Sequence, residues 1–324
     1  VSVLLDDILY TCTQTEAIKL ETGLRLCLLS LPVSGSLQES RTRQKVSRLL
    51  IYGRRHNIVE IRINESSERN TKMEREIENR FSLKEAIVVS IAEHSEDDHL
   101  KRSLAGAAFN VLRSRLTKSD RLGITWGTTL SYMLDFMEPT DLSGMRIIQL
   151  NGGVSLTSTA TGAEELLLRL TQSFNGEANY LITPAIVDSK EINDAIISDS
   201  QVAYVLSLCN SVTVAVFSIG VPGEDSILFK SGFLKDDDLM SLRSADAVGD
   251  ICARYFTIDG DIAHKDLDDR TIGVSLNSLK KTRLSIAVAG GHGKVKAIRG
   301  GINGGYCNVL ITDSHTANAL LQSN

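Results

Sequence analysis

Long apolar runs are absent from this 324-residue chain. The longest, such as Val212–Val221, reach strand length, far short of the roughly 20 residues a membrane span needs. Cysteine is scarce and scattered: Cys12, Cys27, Cys209, Cys252 and Cys307, with no CxxC spacing. That distribution fits reduced thiols and argues against a disulfide framework or a zinc site. The six histidines show no metal-ligand spacing either. Asp6 and Asp7 come first, with no basic segment ahead of an apolar core, so no secretion signal is expected and a cytoplasmic location is. There is no Walker loop, no GxGxxG fingerprint and no GxSxG elbow, so no nucleotide cofactor is expected. The sequence also pairs no nucleophile with a base, which favours a binding protein over a hydrolase.

What is present begins with charge. Arg41–Ile63 holds seven Lys/Arg against one Glu, in a chain whose net charge is −5. A basic island on an otherwise acidic chain is the footprint of a small DNA-reading module joined to a body that avoids nucleic acid. The length favours two domains, and 42% apolar with 23% charged residues is ordinary for a globular protein.

Within the island, Val46, Leu49 and Leu50 share one helical face, with Thr42 or Ser40 as the cap. Ile58–Ile63 alternates like a short edge strand. Glu68–Phe81 places Met73, Ile77 and Phe81 at i, i+4 and i+8. That narrow apolar stripe predicts a linker helix packing on a partner or on the body. Farther on, short β-branched runs alternate with helices: strands at Ala86–Ile91, Leu122–Trp126, Arg146–Leu150, Val212–Ile219, Leu284–Ala289 and Asn308–Thr312, and helices at Leu100–Leu116, Ala163–Phe174 and Val295–Ile302. Strands apolar on both faces predict an α/β body with a mostly parallel, doubly covered sheet.

In such a sheet, ligands sit beyond the C-terminal ends of the strands. Three glycine-rich loops fall there: Thr125-Trp126-Gly127-Thr128-Thr129, Asn151-Gly152-Gly153 and Gly290-Gly291-His292-Gly293-Lys294. Glycines let backbone amides approach an anion, and Lys294 adds a full charge, so together the loops could hold a phosphate. Lys294 alone reads more simply as a solvated first-turn lysine, and His292 more simply as a solvent-facing residue than as a ligand contact. Asp250 reads either as an acceptor for sugar hydroxyls or as the cap of a following helix. Asp236-Asp237-Asp238 reads as a solvated turn and helix start.

The order KVSRLL, IVEIRI, WGTT, NGG, AVGDI, VAGGxxK and GGYxNVLITD, from about Arg43 to Leu321, closely resembles the sorbitol-operon regulator (SorC) family of bacterial transcription factors. The resemblance implies an N-terminal winged helix-turn-helix. It also implies a Rossmann-like effector domain of the sugar-phosphate isomerase/deaminase type, without enzymatic activity. It further implies a homo-oligomer, dimer or tetramer, whose hold on operator DNA is altered by a phosphorylated sugar. Residues matching the recognition helix are Arg43, Gln44, Lys45, Ser47 and Arg48; Arg and Gln suit base edges, Lys and Ser suit phosphates. Residues matching the effector pocket are Trp126, Gly127, Thr128, Thr129, Asn151, Gly152, Gly153, Asp250, Gly290, Gly291 and Lys294. Within these, Asp250 would meet hydroxyls and Lys294 the phosphate. No metal or cofactor is implied.

Three departures stand out. Asp246 replaces the first glycine of GAVGD, while Gly300 and Gly301 sit where a better helix former is expected, at about 1 kcal/mol each. Upstream of Arg41 the family's supporting helix is not recognisable: CLLSLPVSGSLQES puts Pro32 and Gly35 in its way. Thr13–Ile18 looks like a displaced remnant of it. The expected organisation is 1–63 DNA-binding, with 1–40 irregular, 64–83 linker helix and 84–324 effector domain. The function expected is a sugar-phosphate-responsive regulator. The alternatives are a sensor that has lost DNA binding and a sugar-phosphate isomerase or deaminase.

Overall fold

The computed structural model describes residues 17–19, 62–64, 67–92, 96–153 and 163–323. The chain divides into two compact units, Val1–Arg69 and Asn70–Asn324. In the first, β1 (Ala17–Lys19) pairs antiparallel with β2 (Arg62–Asn64), Ile18 opposite Ile63. Ala17 and Ile18 are therefore extended, which corrects the helical reading at these two positions, since cross-strand pairing takes up the backbone groups a helix would use; residues 13–16 lie outside the described residues. The recognition-helix residues 43–48 lie outside the described residues.

The long helix α1 (Ser67–Phe81) falls where the apolar stripe places it. Ile77 is fully buried, with Met73 and Phe81 packed against the same core, so the stripe faces the body. Complete burial of one isoleucine contributes roughly 1.5–3 kcal/mol.

Seven parallel strands follow: β3 (Glu85–Val89), β4 (Arg121–Ile124), β5 (Arg146–Gln149), β6 (Glu177–Asn179), β7 (Val214–Phe217), β10 (Leu284–Val288) and β11 (Val309–Asp313). Between β7 and β10 stands a hairpin, β8 (Gly249–Ile251) with β9 (Arg254–Phe256). The sheet order is β3-β11-β10-β7-β4-β5-β6. Every residue of β7 and β11 is buried, because helices cover both faces. On one face Ala215, Phe217, Ala287 and Leu310 meet Ala297 and Ile298 of α7 (Val295–Asn303) and Ala317 and Leu320 of α8 (Ser314–Gln322). On the other, Val214, Val216, Ile286 and Ile311 meet Leu104, Ala108 and Phe109 of α2 (Asp97–Arg115) and Leu166 and Leu170 of α3 (Ala163–Phe174).

Three parts of the fold escape the sequence pattern. β6 reads Glu-Ala-Asn, too polar for an alternation test, and owes its place to pairing with β5. Helices α4 (Lys190–Ser198) and α5 (Ser200–Cys209) are separated only by Asp199, which caps the second by accepting from Gln201 N and Val202 N. The hairpin turns on Cys252 and Ala253, both at positive φ, the left-handed pair that a two-residue turn demands and that Asn-Gly normally supplies.

Two local readings need correction. Asp236–Asp238 does start a helix, α6 (Asp236–Ser244), but Asp238 is not simply solvated. Its Oδ1 accepts from the Arg270 guanidinium at 2.7 Å, both side chains being largely buried. Gly300 and Gly301 lie in α7 at close packing: a Cβ on Gly300 would sit 2.7 Å from the Thr257 carbonyl oxygen and 2.9 Å from Val248 Cγ2. Glycine there admits the neighbouring backbone.

Candidate functional site

From β4 the chain runs outward through β5 to β6, then returns to β7 and runs the other way through β10 and β11. The adjacent β4 and β7 are thus the point where the order reverses, and in an open α/β sheet the ligand crevice is expected there, beyond their C-terminal ends. The segment leaving β7, Ser218-Ile219-Gly220, lies there, and Gly127, Asp250 and Lys294 each meet it.

On one side is the β4 loop. Gly127 backs onto Ser218, whose Oγ would lie 3.7 Å from a Cβ at that position. Trp126 donates from Nε1 to the Gly152 carbonyl at 2.7 Å, which joins the first glycine loop to the second. Thr129 is buried in a short helical turn, Thr128–Ser131, while Thr128 faces solvent.

On the other side, Gly220 and Asp250 exchange backbone hydrogen bonds of 3.0 and 3.1 Å. A Cβ on Gly220 would fall 2.1 Å from Asp250 Oδ1, so only glycine lets the carboxylate lie against the β7 segment. Asp250 is in a strand, and no helix follows it, which removes the helix-cap reading. Its Oδ2 accepts from Ala253 N at 3.2 Å, steadying the left-handed turn. Burial pushes this carboxyl up to about 6, against the pull of the Ala253 amide and the Lys294 charge.

Lys294 enters from the β10 loop and donates from Nζ to the Ile219 carbonyl at 2.8 Å. It is therefore turned inward, not solvated. Burial pulls its pKa below the usual lysine value, with Asp250 opposing. One bond uses one of the three ammonium protons. Among the described residues no second acceptor takes another.

The glycine loops are less open than their composition implies. Gly152 N donates to the Ile272 carbonyl at 3.1 Å and Gly153 N to that of Thr183 at 2.8 Å. Gly291 N, at φ +99°, donates to Asp313 Oδ2 at 2.9 Å and Thr316 Oγ1 at 2.8 Å. A Cβ on Gly290 would sit 2.4 Å from the same carboxylate oxygen. The second loop is thus a structural support, and Asp313 shapes the third. His292 is exposed.

Several buried polar atoms near this segment have no partner among the described residues: Asn151 Oδ1, Ser218 Oγ and the Tyr255 hydroxyl. Tyr255 stands opposite Asp250 in the hairpin. Unpaired buried polar groups are uncommon, and each calls for a water or a ligand group. Ser218, Gly220 and Asp313 were not singled out by sequence; the rule that ligands bind past the ends of strands, applied to Val212–Ile219, would have found Gly220. Among the described residues no group of three His, Cys, Asp or Glu could hold a metal ion, and no helix is long and apolar enough to cross a membrane.

A sheet of this order, with helices on both faces, is that of a doubly wound α/β domain. Residues 65–322 match the family described as "Putative sugar-binding domain". The chain is 31% identical over 280 residues to the deoxyribonucleoside regulator of Bacillus subtilis, covering 86% of this chain and 89% of that protein. It is 28% identical over 283 residues to the sorbitol operon regulator of Klebsiella pneumoniae, with the same coverage of each. The crystal structure of the full-length sorbitol operon regulator SorC from Klebsiella pneumoniae superposes with a TM-score of 0.79 at 25% identity, covering 87% of this chain and 90% of that one. The chain belongs to the SorC family of bacterial transcriptional regulators.

Proposed function

We propose that the chain is a cytoplasmic, homo-oligomeric regulator whose α/β domain binds a phosphorylated sugar and thereby changes its hold on operator DNA. The observation that carries this reading is the meeting of Asp250 and Lys294 on either side of the Ser218–Gly220 segment, one held at the hydroxyl-accepting side and the other with ammonium protons to spare. A sugar phosphate presents both complements at once: hydroxyls for Asp250, Ser218 and Asn151, and an anion for Lys294 and the start of α7. Trp126, Gly127, Thr128 and Thr129 form one wall, and Asn151, Gly152 and Gly153 support it. Gly290 and Gly291 bring the Lys294 loop close. The names of the relatives, a deoxyribonucleoside regulator and a sorbitol operon regulator, support an effector of the carbohydrate class.

Arg43, Gln44, Lys45, Ser47 and Arg48 would read the operator as the exposed face of a winged helix-turn-helix within residues 1–63. Residues 64–83 link it to the effector domain, 84–324. Enzymatic turnover is not part of this reading, and Asp250 serves as a hydrogen-bond acceptor.

Trp126 is the chain's one tryptophan and stands in the wall of the crevice, so its fluorescence reports occupancy directly. Titration with phosphorylated and unphosphorylated forms of the same sugars should give saturable changes only with the phosphorylated ones. Equal responses to both forms would remove the phosphate from the reading. A flat signal across the panel, together with unchanged thermal stability, would remove the pocket.

A further inference from the structure

The outer edge of β3 closes one side of the sheet, and an edge strand leaves alternate amides and carbonyls unpaired. Here three side chains of α1 take them up. Glu78 Oε1 accepts from Ala86 N at 2.9 Å and Glu74 Oε1 from Val88 N at 2.9 Å. Asn70 Nδ2 donates to the Val88 carbonyl at 2.8 Å and to Ser90 Oγ at 2.9 Å. Residues 70, 74 and 78 recur every four positions and so share one helical face. Ala86 and Val88 recur every two and so point their amides to one edge. The result is a ladder in which a helix borrows the hydrogen bonds of a missing strand. Burial raises the Glu74 carboxyl, with the Val88 amide opposing and the neighbouring Glu78 and Glu85 charges adding to it. The ladder holds like charges together at the sheet edge, and its rungs are side chains, so it can open without unfolding the sheet.

The other end of β3 leads back to the pocket. The Ile91 carbonyl lies 3.0 Å from His315 Nε2, at the first turn of α8. That turn is capped by Asp313, whose Oδ1 accepts from His315 N at 3.0 Å and Thr316 N at 2.9 Å. The other oxygen of the same carboxylate accepts from Gly291 N in the Lys294 loop. β11, which ends in Asp313, is also paired with β3 along its length. One carboxylate thus fixes the anion-side loop and the helix start that touches the end of the edge strand.

We infer that the Asn70–Glu74–Glu78 ladder is the latch through which occupancy of the Lys294 loop reaches α1 and the DNA-reading segment that precedes it. This rests on the effector reading above, whose regulation it specifies. A ligand that shifts Gly291 shifts Asp313, and with it the α8 start and the strand on which the ladder hangs. If latch and pocket are linked, breaking the latch must change ligand affinity by the factor with which the ligand changes the latch.

The test uses the full chain with inorganic phosphate and ribose 5-phosphate as probes, read by Trp126 fluorescence and by amide exchange at Ala86, Val88 and residues 70–81. In the wild type, a probe that binds should change exchange at those amides. Glu74→Ala/Glu78→Ala should alter probe affinity about fivefold or more, the lower end of measured allosteric couplings. Glu74→Gln/Glu78→Gln, which keeps the acceptor oxygens, should stay within about twofold of wild type. His315→Ala acts at the far end of the path, leaves the ladder chemistry intact, and should abolish the probe's effect on Val88 exchange. It decides the matter even where the alanine pair fails to fold. Normal probe affinity and an undiminished exchange response in the folded variants would overturn the latch while leaving the pocket standing. Absence of probe binding to the wild type would overturn the pocket reading, and the latch with it.

Discussion

Lys294 Nζ donates to the Ile219 carbonyl at 2.8 Å, tying the loop after β10 to the segment leaving β7. The bond aims a half-buried ammonium group at the crevice where the strand order reverses. Burial already lowers its pKa, so the group is poorly compensated until an anion arrives. Asp250 is in the complementary position, an acid raised by burial on the opposite side of the same segment.

Lys294→Ala should therefore remove the response to a sugar phosphate without unfolding the protein. A charge-assisted hydrogen bond is worth about 1.5–3 kcal/mol, so affinity should fall roughly ten- to a hundredfold. Trp126 fluorescence titration measures it. Unchanged affinity in a folded variant would remove Lys294 from the phosphate side.

Asp250 should make stability depend on pH in a definite direction. Its folded pKa lies above the ordinary value of 3.8, at about 6. The stability it contributes is full below about pH 4 and is lost as pH rises through about 6. Asp250→Asn lacks this loss. In urea melts the variant should gain on wild type between pH 4 and pH 7.5, by on the order of 2 kcal/mol after allowance for the partial exposure of Asp250. Wild-type effector affinity should also weaken below pH 6 more than the variant's, which carries only the ligand phosphate's own titration. A pH-independent difference between the two proteins would contradict the assignment of a raised carboxyl.

Gly220→Ala should damage the site more than its size implies, since the added methyl meets Asp250 Oδ1 at 2.1 Å. Overpacking of this kind costs roughly 1–3 kcal/mol. A loss of effector affinity should accompany it, because either the carboxylate or the β7 segment must move. Calorimetric melting and effector titration check both, and a neutral substitution would show that the crevice has slack there.

Gly300→Ala tests packing against propensity. In an isolated helix the change gains about 1 kcal/mol. Here the methyl would press on Thr257 O and Val248 Cγ2, so net destabilisation is expected in a urea melt. A more stable variant would mean that the helix has room to shift.

The sheet was legible because burial on both faces leaves continuous apolar strands, as at Val214–Phe217 and Leu284–Val288. The linker helix was legible because Met73, Ile77 and Phe81 repeat every four residues. Polar elements were not: β6 depends on a neighbour for its identity, and Cys252-Ala253 carries no turn signature although both residues are left-handed. Motif brought out Trp126, Asp250 and Lys294, but how each is held was not readable. Gly152, Gly153 and Gly291 commit their amides to protein acceptors, a tertiary fact that composition cannot reveal. Lys294 reads identically whether it faces water or the core. The ladder of Asn70, Glu74 and Glu78 was invisible for the same reason, since a charged helix face looks solvated until a strand edge is placed beside it.

The central claim is most directly tested by fluorescence anisotropy of the full chain on labelled DNA from upstream of its own gene, at two salt concentrations, with and without a panel of sugar phosphates. Affinity that falls steeply with salt and is altered by one phosphorylated sugar, but not by its unphosphorylated form, is the predicted result. DNA affinity no tighter than non-specific at low salt, or specific affinity that no sugar phosphate alters, would contradict the account.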